Sequence, residues 1–140
     1  MTRVFLSALA ALGLCLALTN TTRARDVDPK RIVNDLKQIG LAYHNYHDAF
    51  AKAPTKPDDL AKFVENDKRL LGMLENKDIV FIFGVKITEM TDGTSNTVLA
   101  YEKDAPTKGG AVLYGDGSVK KLTADEFKKA IIAKPKKKDK

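Results

Sequence analysis

Residues 32–50 read IVNDLKQIGLAYHNYHDAF, and the fold turns on how they are read. Ile32, Leu36, Ile39, Tyr43, Tyr46 and Phe50 recur at alternating intervals of four and three. That rhythm lays one apolar stripe along an α-helix and does not suit a strand. At 3.6 residues per turn the six side chains fall within roughly 80° of one another, with His47 at the stripe's edge. Asp28 followed by Pro29 is a helix start, a capping carboxylate before a residue already fixed at helical φ. The helix is therefore expected to run from Pro29 to Phe50. Gly40 in its middle costs about 1 kcal/mol relative to Ala, so another element is expected to pack closely there. Leu41 points almost opposite the stripe and is expected either in solvent or in a second, smaller contact.

Downstream, residues 53–57 (APTKP) break the pattern, and Pro57-Asp58-Asp59 reads as the first turn of a short helix whose face is Leu60, Phe63 and Val64. Residues 68–74 (KRLLGML) add another turn or two, with Leu70, Leu71 and Leu74 as core candidates. From residue 79 the period changes. IVFIF at 79–83 is rich in β-formers and stops at Gly84, with residues 85–87 as a conceivable extension. TDGTSN at 91–96 is dense in turn formers and precedes a strand at 97–101. Residues 106–110 form a loop. Strands at 111–114 and 118–122 are joined by Gly115-Asp116-Gly117, a tight-hairpin signal. Thr123 with Glu126 makes a capping box for a short helix carrying Phe127, Ile131 and Ile132. Helices first, then an antiparallel meander, then a terminal helix: the class is α+β.

Upstream, residues 4–18 (VFLSALAALGLCLAL) form an apolar run behind Arg3 and ahead of the polar TNTTRAR. This is the layout of a secretory signal peptide, and Thr22-Arg23-Ala24 offers a small-x-small site for cleavage after Ala24. The run falls short of the ~20 apolar residues of a membrane span, although an uncleaved anchor is the rival reading. The organisation expected is a leader at 1–24, one domain at 25–133 and a disordered lysine-rich tail at 134–140. Cys15, the single cysteine, lies inside the leader and leaves with it, so the exported domain stands without disulfides or thiolate ligands. The formal charge of +6 resolves into the leader's two arginines and the tail KPKKKDK, which leaves residues 25–133 neutral. A basic tail is not a basic binding face, so no nucleic-acid partner is expected. Membrane contact is expected only through a retained leader or weakly through the tail.

Three blocks in order, NDLKQIGLAYHNYHDAF at 34–50, TDGTSNTVLAYE at 91–102 and VLYGDGSV at 112–119, resemble a pseudopilin-like bacterial domain of unknown function. Its members often carry prepilin-type leaders and a carboxy-terminal "His, nine residues, Asp-Gly" signature. The resemblance implies a pilin-like fold, a long amino-terminal helix packed on a small antiparallel sheet. It implies no particular chemistry. Two departures stand out. Here ten mostly polar residues, 19–28, separate the apolar run from the helix, and no prepilin processing site is present. The signature His is also absent, its place being taken by Pro106.

Candidate sites follow from residue type and spacing. His44 and His47, three apart on the helix, have the spacing of a metal-sharing pair, with Asp48 as the only neighbouring third ligand. Their other reading is packing and local hydrogen bonding. Asp92, Asn96, Asp104 and Asp116 are oxygen ligands of the kind calcium takes, and some major pseudopilins resemble calcium-binding proteins in their late loops. The loops lack the alternating spacing of a calcium loop, and turn chemistry accounts for the same residues. Ser95 and Ser118 have no catalytic motif around them, and Asp58 and Asp59 suit a helix amino terminus better than acid–base work. The expectation is an exported, non-enzymatic structural or interaction module acting on other extracytoplasmic proteins or on itself. A calcium- or small-ligand-binding domain is the alternative.

Overall fold

The computed structural model describes residues 28–136. The expected leader at 1–24 and the last four residues of the lysine tail lie outside the described residues. Helix α1 spans Pro29–Phe50, with the Asp28 carboxylate accepting from the Lys30 N–H at 3.0 Å. Ala51 ends it in the left-handed region at φ 50°, its N–H donating to the His47 carbonyl. Ile32, Leu36, Ile39 and Tyr43 are buried, as the stripe requires. The stripe's far end departs from expectation, because Tyr46 is half-buried and Phe50 is 52 % exposed. There the stripe meets Phe63, whose ring lies 5.8 Å from Tyr46 and 6.1 Å from Phe50.

A short helix α2 (Pro57–Leu60) runs into a 3-10 turn, Ala61–Val64, and α3 follows at Lys68–Glu75. Asp67 caps α3 by accepting from the Arg69 and Leu70 amides. These pieces bury Leu60, Val64, Leu70 and Leu74 beside α1. Each large aliphatic side chain taken fully out of water contributes roughly 1.5–3 kcal/mol, so the helical layer is held mainly by this burial.

The sheet has five strands: β1 (Ile79–Phe81), β2 (Thr97–Glu102), β3 (Gly110–Tyr114), β4 (Val119–Leu122) and β5 (Ile131–Ile132). The first four pair antiparallel in chain order, whereas β5 joins β2 in parallel. The fold is therefore α+β, as expected. Strand β1 is shorter than its β-rich sequence. Ile82 still donates to the Leu99 carbonyl, but Gly84 then turns away to donate to Pro54, and the chain enters a 3-10 turn at Ile87–Glu89.

The terminal helix also needs correcting. Helix α5 ends at Lys129, Ala130 is extended (φ −71°, ψ 146°), and Ile131 and Ile132 form β5. Spacing from Phe127 suits a helix equally well, and an available sheet edge decides the matter. A bulge in β2 supplies that edge. The β2–β3 register slips between Val98 and Ala100. Two successive carbonyls then serve the same outer edge, Val98 accepting from Ala133 and Leu99 from Ile82. One edge of β2 thus carries β5 and β1 end to end.

The bulge also resets the alternation of faces. Leu99 and Ala100 both join the core under α1, along with Ala111 and Leu113. Val98, Val112 and Tyr114 face a second, smaller cluster with Ala105 of α4 (Ala105–Lys108) and Phe127 of α5 (Ala124–Lys129). The sheet is the middle of three layers.

Candidate functional site

The three blocks singled out in the sequence converge at the end of the sheet where the β3–β4 hairpin turns. His44 from α1 reaches this turn, its Nε2 lying 2.9 Å from the Gly115 carbonyl. A carbonyl only accepts, so Nε2 carries the proton and donates. The Gly115 and Asp116 amides donate to the Thr97 and Thr94 carbonyls of the 91–97 loop, at 2.9 and 3.1 Å. Helix, loop and hairpin are pinned together at one point.

Two glycines make the approach close enough. A Cβ on Gly40 would stand 2.8 Å from Leu113 Cδ1, which is why the helix interior tolerates a residue that weakens it. A Cβ on Gly115 would collide with Met90 Sδ. Beneath them Tyr43 is fully buried, its hydroxyl donating to the Val85 carbonyl at 2.8 Å. Burial pushes the Tyr43 phenol well above its ordinary range, and the Glu89 carboxylate adds to the effect.

The predicted ligands are distributed as follows. His44 is committed to Gly115 and also packs edge-on against Tyr43 at 5.6 Å. His47 is half-buried one turn on, and Asp48 is exposed. Asn96 donates through its side chain to the Asp92 carbonyl, closing its own loop at 3.0 Å. Asp116 Oδ1 accepts from the Ser118 amide and hydroxyl at 2.9 and 2.6 Å. Partial burial pushes the Asp116 carboxyl up, but the Ser118 bonds outweigh it and hold the group below its ordinary 3.8. Asp92, Asn96 and Asp116 therefore share one end of the sheet, through the Asp116–Thr94 bond. Asp104 does not join them. It follows the far end of six-residue β2, a strand rising about 3.3 Å per residue, and there it pairs with Lys108 at 3.2 Å. Among the described residues no three His, Cys, Asp or Glu side chains converge as a metal set.

Ser95 is exposed, and Ser118 is used in its own turn. Asp59 caps α2, accepting from the Thr55 amide and hydroxyl and from the Lys56 amide, and Asp58 pairs loosely with Lys56 at 3.8 Å. A cleft of about 190 Å³ opens beside the 91–97 loop, with Glu89, Asp92, Thr97, Ile131 and Lys134 among its walls.

One polar contact was not foreseen. Asp35 sits on the buried arc of α1 at 2 % exposure, and Arg69 of α3 grips both of its oxygens, at 2.6 and 2.7 Å. The signal was present, since Asp35 lies only about 40° from Ile39 around the helix. A charged side chain on an apolar arc calls for a partner. The hydrogen bonds that Arg69 donates to Asp35 outweigh burial and raise the guanidinium above its ordinary value.

Leu41 is 62 % exposed, while its neighbour Ala42 is buried. Leu41 and Phe50 are nine residues apart, about 180° around the helix, so they do not form one patch. No helix among the described residues is long and apolar enough to cross a membrane.

Among known families, the profile described as "Protein of unknown function (DUF1559)" matches residues 33–70. The chain is similar to that family there. The match takes in most of α1, α2 and the start of α3, and so contains the first of the three blocks. No curated protein and no solved structure matches the chain.

Proposed function

We propose that the protein is an exported, non-enzymatic structural or interaction module of pseudopilin-like type. Its counterparts are other extracytoplasmic proteins or further copies of itself. The observation that carries this reading is the meeting of the three blocks at Gly115. The residues that define the resemblance are spent on holding the helix, the 91–97 loop and the hairpin together. His44, Asp116 and Asn96 each serve a backbone or turn contact. The family-like residues then specify a scaffold, and a scaffold with a neutral body is suited to presenting a surface.

Fractionation of the producing cell tests export. Protein outside the cytoplasm and lacking its first 24 residues is the expected result. A cytoplasmic protein that retains them overturns the proposal.

A second reading, calcium binding, is favoured by the backbone bond from Asp116 to Thr94, which joins the turn of Asp116 to the loop that carries Asp92 and Asn96. A ligand present at 100 times its Kd stabilises by about 2.7 kcal/mol. Melting with millimolar calcium against chelator decides, and an unchanged melting temperature removes this reading.

A further inference from the structure

The carboxy-terminal segment 131–136 is held differently from the rest of the sheet. It follows Ala130, an extended residue that passes the chain from α5 to the outer edge of β2. Its ladder is two residues long, Thr97 beside Ile131 and Val98 beside Ile132. It continues by one bond, Ala133 N–H to the Val98 carbonyl at 2.9 Å. Ile131 remains 44 % exposed. Beyond the ladder, Pro135 lies against Gly84, and Lys136 stands 3.9 Å from Glu89. The cleft beside this segment is lined on one side by 131–134 and on the other by Glu89 and Asp92. It is the seam between strap and domain, incompletely filled.

We propose that 131–136 is an exchangeable edge strand, and that its seat on β2 takes the same segment of a second copy of this chain. The seat is set by the β2 bulge, which leaves the Val98 carbonyl pointing outward where β1 does not reach. Charge favours this occupant. The strap brings Lys134 and Lys136, in a tail reading KPKKKDK, to a rim carrying Glu89 and Asp92. Every copy carries a segment fitted to the seat in length, polarity and charge, and exchange replaces each intramolecular contact with an identical one. The seat adjoins the helix–hairpin junction through Thr97, which pairs with Ile131 on one side and accepts from Gly115 on the other, and the inference stands whether or not the protein is exported.

Two measurements on the full chain test it. The first is native-state amide exchange, with Ile82 as internal reference because it donates to Leu99, the carbonyl next to Val98. Ala133 is expected to exchange at least about tenfold faster than Ile82, by local opening. The second is sedimentation across a concentration series. A dimer that forms with rising concentration is expected, and Ala133→Pro is expected to remove it by unseating the segment altogether, because an unseated segment links no two copies. Proline deletes the donor while keeping residue 132 extended. Four results would each overturn the proposal. They are equal exchange at Ala133 and Ile82, a monomer at every concentration, a dimer untouched by Ala133→Pro, or a variant that cannot fold without this bond.

Discussion

At the scale of single residues, the two buried polar groups of α1 separate cleanly by what stands opposite them. Asp35 is 3 % exposed in its side chain, whereas Arg69 is 38 % exposed. Removing one partner of a buried pair is costly when the remaining charge cannot reach water. Arg69→Ala strands Asp35 inside and is expected to cost about 3 kcal/mol. Asp35→Ala leaves a guanidinium that can turn outward, and is expected to cost nearer ~1 kcal/mol. Denaturant melts of the two variants check the order, and equal costs would contradict it. Tyr43 gives a second test. Its pKa is raised in the folded state above the ordinary 10.0. Its contribution is therefore fully present below pH 10 and is lost as pH rises through the folded value. In a phenolate absorbance titration, Tyr43 is expected to ionise only above the ordinary tyrosine range, together with unfolding.

At the scale of elements, the α1–β3 contact rests on Gly40 against Leu113. Gly40→Ala gains about 1 kcal/mol of helix propensity. It also drives a methyl group into a fully buried Leu113, and overpacking of that kind costs about 1–3 kcal/mol. We expect net destabilisation of about 1 kcal/mol, relieved when Leu113→Val is added, so that the double variant is more stable than the summed single effects. Thermal melts of the four proteins measure the coupling, and strict additivity would mean that the helix shifts freely over β3. The shape of this contact explains why Gly40 was readable in advance. A glycine inside a strongly periodic helix is a local cost, and a local cost points to a tertiary neighbour. The split of 127–132 into α5 and β5 was not readable. Phe127, Ile131 and Ile132 satisfy helical spacing, and the competing strand exists only because β2 bulges at Val98 and Leu99.

At the scale of the whole molecule, acid stability follows from three carboxylates in three separate turns. Asp59 is held below its ordinary 3.8, chiefly by the Thr55 amide, and Glu126 below 4.5 by the Thr123 amide and hydroxyl. Asp116 is lowered by Ser118 against the push of burial. Depressed carboxylates contribute stability that is present above their unfolded values and is lost as pH falls through the folded ones. The melting temperature is therefore expected to be level in these groups' contribution above about pH 5 and to fall progressively below about pH 4. Replacing Asp59, Asp116 and Glu126 by their amides should flatten that fall. A curve unchanged by the three substitutions would place the acid sensitivity elsewhere.

The sequence by itself determined the α+β class, the bounds of α1, four of the five strands, the hairpin turn and the caps at Asp28 and Thr123. Each of these is written in local periods and side-chain chemistry that act within a few residues. The tertiary structure decided the rest. It ended the buried stripe before Phe50, where the helix meets the ring of Phe63, and it paired Asp35 with Arg69, two residues brought together only by folding. It turned residues 131–132 into a strand where a bulged edge offered a carbonyl. It gathered Asp92, Asn96 and Asp116 while leaving Asp104 at the other end of β2. Which loops meet depends on strand order and register, and those are set by packing between segments distant in the chain.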